Sequence, residues 1–214
     1  MISFIIALPV NREGLFGIIL AERRAYYVKS LILASKSPRR KELLEKCGIP
    51  FTVEAAEIDE TLNSSLPLTE AIQDLSRRKA EAILKIHPNS VVLGSDTIVV
   101  VDGMVLGKPE DHEEAKQMLR KLSGRSHQVI TGFCLMSSLH CHTEASVSEV
   151  YFSEMTEEEI AAYVATNEAD DKAGAYGIQG LAGKFIARIE GDYYTIVGLP
   201  LAQVYQELKN LAAY

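Results

Sequence analysis

Several features that mark secreted, metal-stapled or membrane proteins are missing from this sequence. Its only cysteines are Cys47, Cys134 and Cys141, and no two of them have the CxxC spacing of a zinc module. The apolar run from Ile2 to Val10 is too short to span a bilayer and lacks the basic start of a signal peptide. We therefore expect a cytoplasmic protein that does not associate with a membrane.

Positive charge is also scarce. The chain carries 22 Lys and Arg residues against 29 Asp and Glu residues, which gives a net charge of −7. Binding to a nucleic-acid polymer requires a basic face that releases counterions. This composition argues against such a partner, so a phosphate-bearing ligand must be held by a local basic patch.

From Leu31 onward, strand-like and helix-like segments alternate, which is typical of an α/β domain. The predicted strands are 31–34, 51–54, 91–101, 104–106, 128–136, 143–152, 185–189 and 194–197. The predicted helices are 38–47, 68–86, 111–124, 156–164 and the segment after Pro200.

The first predicted helix begins with positive charges, although the helix dipole favours acidic side chains there. These charges belong to Lys36, Arg39, Arg40 and Lys41, interspersed with Ser35 and Ser37. Free backbone N–H groups and arginine side chains together bind phosphate oxygens. Residues 35–41 are therefore interpreted as an anion-binding loop, with a solvated basic turn as the alternative.

A carboxylate lies inside a strand that is apolar on both faces. Asp96 occupies the middle of VVLGSDTIVVV, where an ionised group is costly unless it is paired or has a chemical task. Lys79 falls on the apolar stripe of the helix 68–86, and Lys108 falls opposite Thr97 in the hairpin register. A purely structural carboxylate and a snorkelling Lys79 are the alternatives, and the facing of Lys108 is left open by Pro109.

Glycines recur at every third position of the segment 174–183, which also contains Gln179. Such a segment permits close approach of the backbone to a ligand and can act as a lid, although a plain surface loop has the same composition. P-loop, GxSxG and HExxH motifs are absent. A zinc cluster is a weaker alternative, formed by Cys134, His140, Cys141 and His142.

Six segments stand in a characteristic order along the chain. They are SKSPRRKELLEKCGIPF, EIDE, SDTIVVVDGMVLGKPED, LSGRSHQVITG, DKAGAYGIQG and GDYYTIVGLP. Together they closely resemble the Maf family of nucleoside triphosphate pyrophosphatases. The resemblance implies a mixed twisted sheet with helices on both faces and two lobes around a central cleft, similar to inosine triphosphatases.

The resemblance further implies hydrolysis of a nucleoside triphosphate to the monophosphate and pyrophosphate, with a divalent metal (Mg, Mn or Co) as cofactor and a homodimer as the assembly. Asp96 matches the catalytic acceptor that activates water, and Glu60 and Asp96 match metal contacts. The substrate-binding positions are matched by Ser35, Ser37, Arg39, Arg40, Lys79, Thr97, Lys108 and Gln179.

Thr97 and Gln179 are similar to the subgroup that acts on dTTP and UTP, and removal of non-standard nucleotides is a further implied role. Two alternatives remain. One is a nucleotide-binding regulator of septum formation without essential catalysis, and the other is a purine-directed pyrophosphatase.

The sequence departs from the family at its N-terminus. Family members begin just before the strand that matches Leu31, so residues 31–214 are interpreted as the domain and residues 1–30 as an extension. Our hypothesis is that translation starts near Val28, which the intact mass of the native protein would test.

Overall fold

A seven-stranded mixed sheet organises the computed structural model, which describes residues 30–212. The expected extension, Ser30 apart, lies outside these residues. The strands are β1 Leu31–Ala34, β2 Phe51–Val53, β3 Val91–Val101, β4 Met104–Leu106, β5 Ser126–Met136, β6 Cys141–Phe152 and β7 Ile186–Glu190. The helices are α1 Pro38–Glu45, α2 Leu68–Ile86, α3 His112–Leu122, α4 Glu157–Val164, α5 Tyr193–Val197 and α6 Leu201–Ala212. The predicted α/β class with a mixed sheet is confirmed.

The central strand β3 changes neighbours along one of its edges. The sheet order is β2-β1-β3-β5-β6-β7, and β5 pairs antiparallel with β3 over almost its whole length. On the other edge, β1 pairs parallel with residues 91–94 and β4 pairs antiparallel with Val99–Val101. Among the strands of residues 30–212, none pairs with residues 95–98 on that edge, so Asp96 lies at a gap in the described sheet.

Helices cover both faces of the sheet. Leu31 and Leu33 of β1 pack in a cluster with side chains of α1 and α6, whereas Ile32 and Ala34 pack with Ala80 and Ile83 of α2 on the opposite face. This alternation is expected because successive side chains of a strand point to opposite faces.

Helix α2 approaches the sheet unusually closely. A Cβ atom added at Gly94 would lie 2.2 Å from the backbone oxygen of Ser76, and one at Gly132 would lie 2.7 Å from that of Ile72. Only glycine permits this contact. The close packing brings Lys79, one turn further along α2, against β3.

The predicted strand at 194–197 is wrong, because this segment is the short helix α5. Its β-branched residues favour a strand, but the carboxylate of Asp192 accepts hydrogen bonds from the backbone N–H groups of Tyr194 and Thr195. Gly198, at φ +124°, ends the helix. The N-cap and the terminal glycine thus override the local strand preference.

None of the helices within residues 30–212 has the length and apolar character required to cross a membrane.

Candidate active site

A cavity of about 340 Å³ opens beside the gap in β3. Its walls come from the loop after β1, the start of α1, β3, α2, the segment after β4 and the glycine-rich segment 174–183. The structure brings every predicted site residue to this cavity: Ser35, Ser37, Arg39, Arg40, Glu60, Lys79, Asp96, Thr97, Lys108 and Gln179. The pairing of β4 ends at Leu106, so Lys108 is free of the ladder and lines the cavity.

Asp96 is held by two cations and one backbone amide. Lys79 Nζ donates to Asp96 Oδ2, Arg40 Nη2 lies 3.6 Å from Oδ1, and the Thr97 amide donates to Oδ1 over 2.7 Å. Burial by itself would raise the pKa of Asp96, but the charges of Arg40 and Lys79 outweigh it and hold this pKa below its ordinary value. The carboxylate is therefore ionised at neutral pH.

Lys79 joins a second carboxylate to this group. Its Nζ lies 2.9 Å from Oε1 of Glu60, and only 8% of its side chain is exposed. The predicted inward direction of Lys79 is therefore confirmed, and the snorkelling alternative is wrong. Glu60 and Asp96 consequently lie on either side of one ammonium nitrogen.

Arg40 makes its hydrogen bonds to the protein. Nε donates to the Gly198 carbonyl over 2.8 Å, Nη1 to Ser35 Oγ over 3.2 Å, and Nη2 to Thr97 Oγ1 over 3.0 Å. Burial lowers the pKa of Arg40, opposed by the charge of Asp96. An arginine nevertheless stays protonated in proteins. Arg40 thus ties the end of β1, strand β3 and the end of α5 together beneath the cavity.

A row of hydroxyl groups continues from Arg40 into the protein. Thr97 Oγ1 lies 2.9 Å from Thr131 Oγ1, and Thr131 Oγ1 donates to the Thr195 carbonyl over 2.7 Å. Because a hydroxyl has one proton, Thr131 must accept from Thr97. The Thr97 proton is therefore committed, and Thr97 offers only acceptor lone pairs towards Arg40 and the cavity.

The cavity concentrates positive charge in an acidic chain. The cations that line it are Lys36, Arg39, Arg40, Lys79, Lys108 and Lys172, and the anions are Glu60, Asp96 and Asp171. Arg39 Nη1 lies 3.2 Å from Asp171 Oδ2, and Lys172 Nζ lies 2.7 Å from Asp171 Oδ1. The surplus of cations suits a polyanionic ligand.

The glycine-rich segment is anchored from below. The Tyr176 hydroxyl lies 2.7 Å from Nε2 of the buried His127, and Glu168 Oε2 accepts from the Leu181 amide over 2.9 Å. A Cβ atom at Gly180 would lie 2.2 Å from the Glu168 carboxylate. Gln179, next to Gly180, is exposed and lines the cavity.

Sequence reasoning missed Asp171, Lys172 and Thr131 as members of the site. Asp171 and Lys172 open the segment DKAGAYGIQG, so their position beside the glycines was the available signal. Thr131 gave none, because its role depends on cross-strand pairing with Thr97. The structure gives the zinc alternative no support, because no three His, Cys, Asp or Glu side chains of the described chain are grouped to hold a metal.

Comparison with known proteins identifies the family. Residues 30–211 match the family described as Maf-like protein. The chain belongs to the Maf family. A Bacillus cytotoxicus protein named dTTP/UTP pyrophosphatase is 50% identical over 183 residues, which are 86% of this chain and 96% of that protein.

Two further proteins extend the comparison. A Geobacillus protein with the same name is 48% identical to this Maf family member and covers 86% of this chain and 99% of its own. Among solved structures, the Staphylococcus aureus Ham1 protein matches with a TM-score of 0.47 at 12% identity, covering 85% of this chain and 99% of its own.

Proposed function

We propose that this Maf family member hydrolyses nucleoside triphosphates to the monophosphate and pyrophosphate, with dTTP and UTP preferred. The carrying observation is the ionised Asp96 at the gap in β3, inside a cavity lined with cations. Curated relatives about half identical in sequence bear the name dTTP/UTP pyrophosphatase. The positive charge of the cavity and the activity for which these relatives are named both support the hydrolysis of a nucleoside triphosphate.

The triphosphate is bound by side chains that still have free donors. Within the described part of the chain, Asp171 is the one ion-pair partner of Arg39, and Lys36 and Lys108 line the cavity beside it. Together with the helix N-terminus of α1, these cations offset the charge of the phosphates. Arg40 makes a smaller direct contribution, because three of its five N–H groups already donate to the protein and only one on each of Nη1 and Nη2 is left for a phosphate.

Asp96 positions the attacking water. Each carboxylate oxygen has two acceptor sites, and one site on each oxygen is taken by Lys79 or the Thr97 amide. A remaining site accepts a proton from water and orients its oxygen towards phosphorus. Lys79 and Arg40 keep the carboxylate ionised and fix its direction, so the water is aimed before the substrate arrives.

The residues present fit the divalent metal that the family implies. Magnesium is commonly held by one or two carboxylates together with substrate phosphates, and Glu60 and Asp96 provide two carboxylates on either side of Lys79. The metal would neutralise phosphate charge and polarise the phosphoryl oxygens. With these two carboxylates as its protein ligands, such a metal would take its other ligands from substrate phosphates and water.

Gln179 recognises the base. Its side-chain amide offers one donor group and one acceptor, which complement a carbonyl and the N3–H of uracil or thymine. It lines the cavity from the anchored glycine-rich segment.

Free thiols at Cys47, Cys134 and Cys141 support a reducing, cytoplasmic setting, and the homodimer stays a prediction.

One experiment tests the function. The protein is incubated with Mg²⁺ or Mn²⁺ and a panel of nucleotides, and pyrophosphate and orthophosphate are measured separately. We expect pyrophosphate, with dTTP and UTP as best substrates, and a loss of roughly a thousandfold in kcat for Asp96→Asn. Orthophosphate as the main product, or full activity of a folded Asp96→Asn variant, would contradict the proposal. Binding of nucleotides without turnover of any of them would contradict it too and favour the regulator.

A further inference from the structure

Glu60 occupies a segment that has no regular structure of its own. Residues 54–63 connect β2 towards α2 without forming a helix or a strand, and 61% of the Glu60 side chain is exposed. An exposed glutamate on such a segment has several rotamers and a mobile backbone available to it. Its contact with Lys79 is therefore better maintained when another group fixes the backbone at this position.

Arg78 supplies that restraint. Its Nη1 donates to the carbonyl of Asp59 and its Nη2 donates to the carbonyl of Thr61 over 2.7 Å. These carbonyls are the ones immediately before and immediately after Glu60. The Asp59 side chain closes the same turn, because its Oδ1 accepts from the Thr61 amide over 2.9 Å.

The guanidinium of Arg78 is itself directed by its own helix. Asp74, one turn earlier in α2, accepts from Arg78 Nε over 2.9 Å. A planar guanidinium whose Nε is fixed presents its two terminal nitrogens in one defined direction. A lysine has the charge but not the paired donors, so it cannot bridge two carbonyls in this way.

We propose that Arg78 is a positioning residue, which holds the turn at Asp59–Thr61 so that Glu60 reaches the cavity. Arg78 and Lys79 then act as a pair from consecutive positions of α2. Arg78 fixes the backbone on both sides of Glu60, and Lys79 receives its carboxylate next to Asp96. The importance of Arg78 for the reaction rests on the proposed function, whereas its hold on the turn does not.

Arg77 is a matched control. It stands beside Arg78 on α2, shares Asp74 with it at 2.8 Å and pairs with Glu81 at 2.9 Å, but within residues 30–212 its ion pairs do not reach the turn. Arg78→Gln, Arg78→Lys and Arg77→Gln are compared by backbone ¹⁵N order parameters at Glu60 and Thr61. We expect values near 0.85 in the parent and in Arg77→Gln, and below about 0.6 in both Arg78 variants.

A double-mutant cycle then measures the functional coupling. Arg78→Gln is expected to lower kcat/KM roughly tenfold in the parent, the equivalent of one hydrogen bond to a charged group. In the Glu60→Gln background the same change should alter kcat/KM less than twofold, because the carboxylate it positions is gone. In the parent protein, Arg78→Gln should also raise the Mg²⁺ concentration that gives half-maximal rate, whereas Arg77→Gln should not.

Unchanged order parameters in the folded Arg78 variants would overturn the proposal, as would an equal loss of kcat/KM in the two backgrounds. Melting temperatures establish that each variant is folded, and Arg78→Lys serves where Arg78→Gln does not fold. If the parent releases no pyrophosphate, the proposed function fails. The order parameters still decide whether Arg78 holds the turn.

Discussion

The cavity has two walls that differ in how firmly their side chains are held. On the wall formed by α1, α2 and β3, the side chains of Arg40 and Lys79 are 10% and 8% exposed and both contact Asp96. On the wall formed by residues 171–183, Asp171 is 60% exposed and Gln179 is exposed as well. We call the first the buried wall and the second the exposed wall. The buried wall suits a carboxylate that must keep one orientation, whereas the exposed wall suits side chains that must exchange partners when a ligand enters.

Substitution of the buried wall is expected to have the larger effect. Arg40→Lys preserves the charge but cannot donate simultaneously to Gly198, Ser35 and Thr97. Asp96 then loses one of its three restraints and shifts relative to the substrate, and we expect kcat to fall about a hundredfold, because a misplacement of about 1 Å has that consequence. The measurement is kcat for dTTP at saturating Mg²⁺. A loss confined to KM would show that Arg40 mainly binds phosphate.

The anchor beneath the exposed wall is tested by pH. Burial lowers the pKa of His127 to about 4, below its ordinary value of 6.5. The unfolded chain therefore binds a proton here between pH 6.5 and pH 4 that the folded chain does not, so stability falls as pH falls through this window. From pH 7 to pH 5 we expect this one residue to remove about 2 kcal/mol of unfolding free energy.

His127→Gln provides the comparison for that prediction. Urea unfolding of the parent and of the variant at both pH values isolates the contribution of His127 from that of the other histidines. The parent should lose about 2 kcal/mol more than the variant between pH 7 and pH 5. Equal losses would mean that His127 is protonated in the folded protein, with its Nε2 donating to Tyr176.

The preference for the nucleotide base is expected to depend on the exposed wall. Gln179→Glu removes the amide donor and leaves only acceptors, which suit the exocyclic amino group of cytosine better than a carbonyl of uracil or thymine. We expect kcat/KM for dTTP and UTP to fall about tenfold relative to CTP, the equivalent of one hydrogen bond. Gln206→Glu on the exposed face of α6 is the control for added charge. Unchanged preference would remove Gln179 from base recognition.

Local patterns predicted most elements and marked several residues that line the cavity, and the family resemblance supplied the others, but neither predicted the contacts that connect these residues. The apolar stripe of α2 predicted an inward Lys79, and the apolar flanks of β3 marked Asp96, because each signal lies within one element. The gap in β3 depends on β1 and β4 sharing one edge, and the role of Arg78 depends on a turn outside its helix. Such pairings are set by tertiary packing, which no local pattern records.

The smallest effect is expected on breaking the ion pair between Arg39 and Asp171. This change tests whether Asp171, on the exposed wall, competes with the substrate for Arg39 or holds Arg39 in its binding position. If Arg39 must leave Asp171 to bind phosphate, the carboxylate competes with the substrate. Asp171→Asn should then lower KM for dTTP about two- to fivefold, the range for an exposed ion pair, while Arg39→Ala raises it. Steady-state kinetics at fixed ionic strength measures both. A higher KM for Asp171→Asn would instead show that the carboxylate holds Arg39 in its binding position, and the exposed wall would then be as preorganised as the buried one.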